Sequence, residues 1–416
     1  MTLVTPTPSA EIAKRWKGLL LVPLTVAAAC EGLSTRSLIS KVTGLSPAHI
    51  SHTGFNVKGA RRLQRIRETS LKVSRQDLSS KGYSAAEIKD VLSACPETPL
   101  AGFVFRMGQA ASAPLSDSMT FGARVDRLAF DSVECIQRNA IEKYKQLLAN
   151  FLLEEAQLYT RKELRQELED LCVAVLTAPD WQALTEPSSK ATQYALLAVL
   201  SAVDVDWGAR YLAKLKPVPT FLWLQPRFHS DFDPTNSRGL KRAVVARPVR
   251  HLLELLWTVG KRATQRIEWP SEPPGPAVLA RDIGHVPTDD LIIRKWVSGA
   301  KPIRFDQAVE VWSNLTMNLL GGEAYEVPVP WISLALWMER VLIQRKPRSS
   351  LASTVLILSH ESYGHIWEGH RARWADRLHK PGTLPWPDWL LAQSSQPDWM
   401  RSSQSSGRSS SPGDYQ

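Results

Sequence analysis

Forty-five consecutive residues, Ser132 to Leu176, contain neither glycine nor proline. They are rich in Leu, Glu, Lys, Arg and Gln, which lose little side-chain freedom in a helix. The stretch therefore predicts one long helix or two abutting ones, acting as a bundle or coiled-coil scaffold. Strand signals are sparse elsewhere. "ATQYALLAVLSAV" (Ala191 to Val203) reads as a buried helix, and "RPVRHLLELLWTVGKRATQRI" (Arg247 to Ile267) as another with Leu252, Leu253, Leu256 and Trp257 on one face. The predicted fold class is mostly α.

At 416 residues the chain calls for two or three domains. "PVPTFLWLQPRFHSDFDP" (Pro217 to Pro234) carries four prolines and reads as an extended connector. "EWPSEPPGP" (Glu268 to Pro276) reads as a linker, because proline cannot continue a helix. A compact helical unit is expected from Ala277 to Lys380. The Ser/Gly-rich end, Ser402 to Gln416, has too little apolar content to order itself.

The formal net charge of +10 favours a polyanionic partner. Its location is more informative than its size. Leu33 to Arg75 holds nine Lys/Arg against Glu68, and Arg238 to Arg266 holds eight against Glu254. A solvated basic face would give the same count. Cys30, Cys95, Cys135 and Cys172 form no C-x-x-C pair, which points to buried thiols in a reducing compartment. Lys14, Arg15 and Lys17 followed by "GLLLVPLTVAAAC" (Gly18 to Cys30) resemble a lipoprotein signal. The alternative is a buried helix entered at Pro23. It is preferred because the segment runs without a linker into a basic stretch, and Ala27 stands where such signals carry Leu. No stretch reaches the ~20 apolar residues of a membrane span, so a cytoplasmic location without membrane contact is expected.

A helix-turn-helix needs a small residue where two helices cross, a glycine four residues later, and apolar residues that lock the second helix. "VLARDIG" (Val278 to Gly284) supplies Ala280 and Gly284. Ile293, Trp296 and Gly299 follow at steps of three, then Phe305, Val309, Trp312 and Leu315 at helical spacing. Over about 40 of the 416 residues this resembles phage repressor/Cro-type domains, whose recognition helix ends in a similar Ile-x-x-Trp-x-x-Gly before a proline and another helix. The turn "HVPTDDLI" is about three residues longer than in that family, and Asp289 and Asp290 put negative charge near the recognition helix start. They could cap the helix but would repel phosphate.

"SLISKVTGLSPAHIS" (Ser37 to Ser51) repeats the pattern without an insertion, with Ser40, Gly44 and Ile50. "TGLSPAHI" resembles the turn and recognition-helix start of many bacterial regulators, and "KGARRLQRIR" (Lys58 to Arg67) follows at once. The resemblance implies that Ser46, Ala48, His49, Ser51 and His52 face base edges or backbone, with Lys58, Arg61, Arg62 and Arg65 on phosphates. In the second motif it implies DNA contacts by Arg294, Lys295, Lys301 and Arg304. A helical hairpin with a glycine cap is the structural alternative.

Enzyme signals are poor. No phosphate-binding glycine loop occurs. "HESYGHIWEGH" spaces His360, His365 and His370 by five, which turns each about 140° from the last on a helix. The three would diverge, so partly exposed helical histidines are expected rather than a metal site. His229, Asp231 and Asp233 in "HSDFDP" lie on one side of an extended segment and suit a turn better than a cation.

The resulting expectation is a basic helix-turn-helix domain over 1–95, a central helical bundle over 96–267, a second helix-turn-helix-like domain over 268–380 and a tail over 381–416. The expected function is sequence-specific binding of double-stranded DNA by a bacterial or mobile-element regulator, with no catalytic residues, metal or cofactor. A homo-oligomer or protein partner would use the central helices. The alternatives are a helical scaffold of a nucleoprotein complex and a metal-dependent hydrolase.

Overall fold

A computed structural model describes residues 140–159, 161–212, 215–228, 244–264, 271–283, 290–320, 327–343, 361–373 and 386–393, with isolated positions in 75–88 and 124–139. The described part is 76% helical with almost no strand, so the fold is mostly α. The chain divides into two compact units: Met1–Asp206 with Glu368–Ala375, and Trp207–Trp367 with Asp376–Gln416.

In the first unit the glycine-free stretch is broken twice. A helical segment ends at Asn139, whose φ is 54°. The Asn139 N–H donates to the Ile136 carbonyl and the Ala140 N–H to the Cys135 carbonyl, a Schellman ending that satisfies the orphan carbonyls. Asparagine tolerates the left-handed region better than other non-glycine residues, so a helix can stop here without glycine. Helix α1 (Ile141–Ala156) follows, then a turn, then α2 (Lys162–Thr177). The prediction of one or two uninterrupted helices is thus corrected: local capping divides the stretch into three pieces. Helices α1 and α2 pack as a hairpin. Their buried stripes are Tyr144, Leu148, Leu152 and Glu155 on α1, and Leu164, Leu168, Cys172 and Val175 on α2. Helix α3 (Thr185–Tyr211) carries the buried Ala191–Val203 stretch expected from sequence. The side chains of Cys135 and Cys172 are buried.

Glu155 ties several of these elements together. It is buried, accepts a hydrogen bond from the Tyr194 hydroxyl at 3.1 Å and lies 3.0 Å from Arg124 Nη2. Burial raises its carboxyl above the usual range, and Arg124, Tyr194 and Arg373 oppose that only in part. Gly369 lies against the Tyr159 ring, where a Cβ would overlap the aromatic carbons.

In the second unit, the Pro217–Pro226 part of the expected extended connector is packed into the fold. It holds a short 3-10 turn (Thr220–Leu222), and Pro219 to Pro226 are buried. Strand β1 (Arg227–Phe228) then pairs antiparallel with β2 (Val244–Ala246). Trp223 meets Trp386 edge-on at 4.3 Å, and the Trp386 indole N–H donates to the Lys216 carbonyl at 2.7 Å. Helix α4 (Pro248–Thr264) is the hub. All of its residues from His251 to Gly260 are buried, a wider burial than the one face predicted. Against it pack α6 (Asp290–Val297), α7 (Phe305–Leu320) and α8 (Val329–Ile343), and α5 (Pro276–Ile283) packs on α6 and α7. Helix α9 (Glu361–Arg373), which belongs to the first unit from Glu368 on, and the short α10 (Asp388–Gln393) complete the described elements.

Candidate nucleic-acid interface

The α5–α6–α7 segment coincides with the second helix-turn-helix-like motif. Leu279 and Ile283 bury one side of α5, while Ala280, the expected crossing residue, is half-buried. Helix α5 is held by Asp282, whose carboxylate accepts from the Trp257 indole N–H at 2.8 Å and from Arg281 Nε at 2.9 Å. Lys261 Nζ stands 3.2 Å from the same carboxylate, and Asn318 Nδ2 donates to the Asp282 carbonyl at 3.3 Å. Burial alone would raise the Asp282 carboxyl. The hydrogen bonds from Arg281, Trp257 and Lys261 outweigh it and hold the carboxyl below its usual range.

Helix α6 divides into two faces. Ile293 and Trp296 are 0% and 4% exposed, whereas Leu291, Arg294 and Lys295 are exposed. Three-residue spacing returns to nearly the same side of a helix, so Ile293 and Trp296 mark the buried face, and Gly299 follows just beyond the helix. Gly299 has φ +70°, the left-handed conformation glycine adopts without steric cost. The N–H groups of Ser298, Gly299 and Lys301 donate to the carbonyls of Arg294, Trp296 and Lys295, closing the end of the helix. Ile303 is buried next, and Gln307 accepts from the Arg304 backbone N–H at 3.1 Å, the reciprocal half of a capping box that starts α7.

Helix α7 buries Ala308, Val311, Trp312, Leu315 and Thr316. Phe305 and Val309, expected beside Trp312 and Leu315, are only half-buried. The buried stripe is rotated toward Ala308 and Val311 because α7 packs on α4, α5 and α8 together.

Arg294, Lys295, Lys301 and Arg304 are all exposed, within one stretch of eleven residues. Two are already paired: Arg294 with Asp290 at 2.8 Å and Arg304 with Asp306 at 2.8 Å. Hydrogen bonding from Arg304 holds Asp306 below the usual carboxylate range. Exposed pairs of this kind contribute little and exchange readily for another anion. Arg281, with a side chain 71% exposed at the end of α5, and Leu291, exposed on the first turn of α6, belong to neither sequence motif's expected contacts. Leu291 lies on the side of α6 away from Ile293 and Trp296, and Arg281 on the side of α5 away from Leu279 and Ile283.

The basic run from Arg238 to Arg266 needs correction as a candidate surface. Arg247 is buried and bound to Glu339; Arg250 bonds Glu254 at 2.9 Å; Lys261 pairs with Asp282. Each of these three cations neutralises a carboxylate of its own unit, an arrangement that composition cannot register. Arg238, Lys241, Arg242 and Arg266 lie outside the described residues, as do Gly284, Asp289, His229, Asp231, Asp233 and His360. The whole first motif is outside them too: Ser40, Gly44, Ser46, Ala48, His49, Ile50, Ser51, His52, Lys58, Arg61, Arg62 and Arg65.

His365 and His370 are buried rather than partly exposed. Burial pushes His370 down to about 3, with Arg373 and Arg124 adding repulsion, so the ring is neutral. No group of three His, Cys, Asp or Glu among the described residues could hold a metal ion. Among the same residues no helix is long and apolar enough to cross a membrane. No family model, curated protein or solved structure matches the chain.

Proposed function

We propose that the chain is a sequence-specific double-stranded DNA-binding protein whose α6 enters the major groove, with the basic run Lys58 to Arg67 adding phosphate contacts. The observation that carries this reading is the division of α6: Ile293 and Trp296 buried, Arg294 and Lys295 exposed, Gly299 left-handed at its end. A reading helix needs this division, because one face must be locked to the protein while the other meets base edges. Lys301 and Arg304, just beyond it, are placed along the chain where phosphate contacts would set its register. A regulator of bacterial or mobile-element type belongs to the same reading and rests on the resemblance alone, and a cytoplasmic location and self-association through the central helices go with it.

The pairing of Arg294 and Arg304 with carboxylates favours a second reading, a helical scaffold that touches nucleic acid without reading its sequence. Selection from a pool of random duplexes with the full chain separates the two. The first reading expects an enriched sequence bound more tightly than its shuffled counterpart, and about tenfold weaker binding of that sequence by Arg294→Ala or Lys295→Ala. Equal binding of both duplexes supports the scaffold. Enrichment indifferent to Arg294 and Lys295 removes α6 as the reader.

A further inference from the structure

Arg247 precedes α4, and its guanidinium lies directly under Gly299, where a Cβ would overlap Arg247 Cζ and Nε. Arg247 Nε donates to Glu339 Oε1 of α8 at 2.6 Å, and Nη2 donates to the same oxygen. Both side chains are buried. Burial raises the Glu339 carboxyl, and the bonds from Arg247 oppose that. Three segments therefore converge on one cation: the start of α4, the middle of α8 and the left-handed end of α6. The place suits a cation, since the carbonyls at a helix C-terminus carry partial negative charge.

We infer that the Arg247–Glu339 pair is the mount of α6, a pair of positioning residues that aims Arg294 and Lys295 without touching DNA. The geometry explains two features together. Position 299 must be glycine for its φ and also because the guanidinium fills the space a side chain would take. A buried ion pair adds little stability over a well-packed apolar pair but fixes one arrangement of its partners, because any other leaves a charge unpaired. Here the fixed arrangement is that of α6 on α4 and α8. The functional part of the inference rests on the DNA reading; the mechanical part does not.

The test uses the full chain and the variants Glu339→Gln and Gly299→Ala. Glutamine keeps the shape and one acceptor while removing the charge. The first measurement is amide hydrogen exchange, which needs no DNA. The mount predicts at least tenfold faster exchange at Ser298, Gly299 and Lys301 in Glu339→Gln, with the amides of α7 still protected. Unchanged exchange at those three amides, or loss of protection across the whole unit, overturns the mount. The second measurement uses the selected duplex and its shuffled counterpart. Each variant should bind the selected duplex at least tenfold more weakly, with unchanged affinity for the shuffled duplex and an unchanged salt slope. The double variant should be no weaker than the worse single, because both substitutions disrupt the same contact. Equal losses on both duplexes, or additive losses, overturn the positioning role. If the wild-type chain selects no duplex, the DNA reading fails and the exchange result alone decides the mount.

Discussion

The Trp257 indole N–H donates to the Asp282 carboxylate at 2.8 Å, tying the end of α5 to the most buried part of α4. The same carboxylate takes Arg281 and Lys261, so one acid anchors the first helix of the candidate reading pair. Trp257→Phe keeps a smaller aromatic ring and deletes the donor. A hydrogen bond to a charged group contributes about 1.5–3 kcal/mol, and a loss in that range is expected in denaturant unfolding. A neutral outcome would mean that Arg281 and Lys261 suffice.

The anchoring also sets a sign for pH. The folded Asp282 carboxyl lies below its unfolded value of about 3.9. Its contribution to stability is therefore present above that value and lost as pH falls through the lower folded one. The stability difference between wild type and Asp282→Asn should shrink as the pH is taken below about 4. A constant difference across that window would show that the charge does not matter.

Glu155 predicts the opposite sign. Its folded carboxyl is raised by burial, so the folded state binds more protons than the unfolded state between about 4.3 and the raised value. Wild type should gain stability relative to Glu155→Gln as the pH falls through this window. The groups facing Glu155 are Arg124, Arg373, Tyr194 and, through Tyr194, Tyr159. Urea unfolding of both proteins at several pH values measures the slope, and a flat or inverted one contradicts the buried arrangement.

Asn139 combines a backbone role with a side-chain role. Its φ is 54°, and its Oδ1 accepts the Trp181 indole N–H at 2.7 Å. Asn139→Ala loses both and adds left-handed strain of about 1–2 kcal/mol. Asn139→Gly loses the hydrogen bond and relieves the strain, so it should be the milder change. Reversed order in thermal unfolding would show that backbone conformation is not what ends the helix.

Trp296→Ala should cost about 3–5 kcal/mol, as truncation of a large buried aromatic does, since Trp296 is 4% exposed on the locked face of α6. Arg294→Ala, on the outer face, should leave the unfolding midpoint where it is. Reversing Arg61, Arg62 and Arg65 to Glu should abolish duplex binding while circular dichroism keeps the helical signal. Retained affinity would remove that run as the phosphate contact.

The mostly helical fold was legible in the sequence because helix formation follows residue type and short-range periodicity. The buried positions of α6 followed from spacing alone: Ile293 and Trp296 are three residues apart, and only one side of a short helix can face the core. Where the long stretch breaks was not legible. An asparagine can end a helix or continue it, and the hydrogen bonds it can make after the chain has folded decide between the two. The fate of the second basic cluster was hidden for a stronger reason. Arg247 and Glu339 are separated by 92 residues, Lys261 and Asp282 by 21, and a charge count cannot see either pairing. His365 and His370 carried the same ambiguity, since a helical histidine becomes buried or exposed according to what packs on it. Local order was written in the sequence because it depends on neighbours in the chain. Charge pairing, burial and the seat of α6 are long-range properties, decided only when distant segments excluded water from the same place.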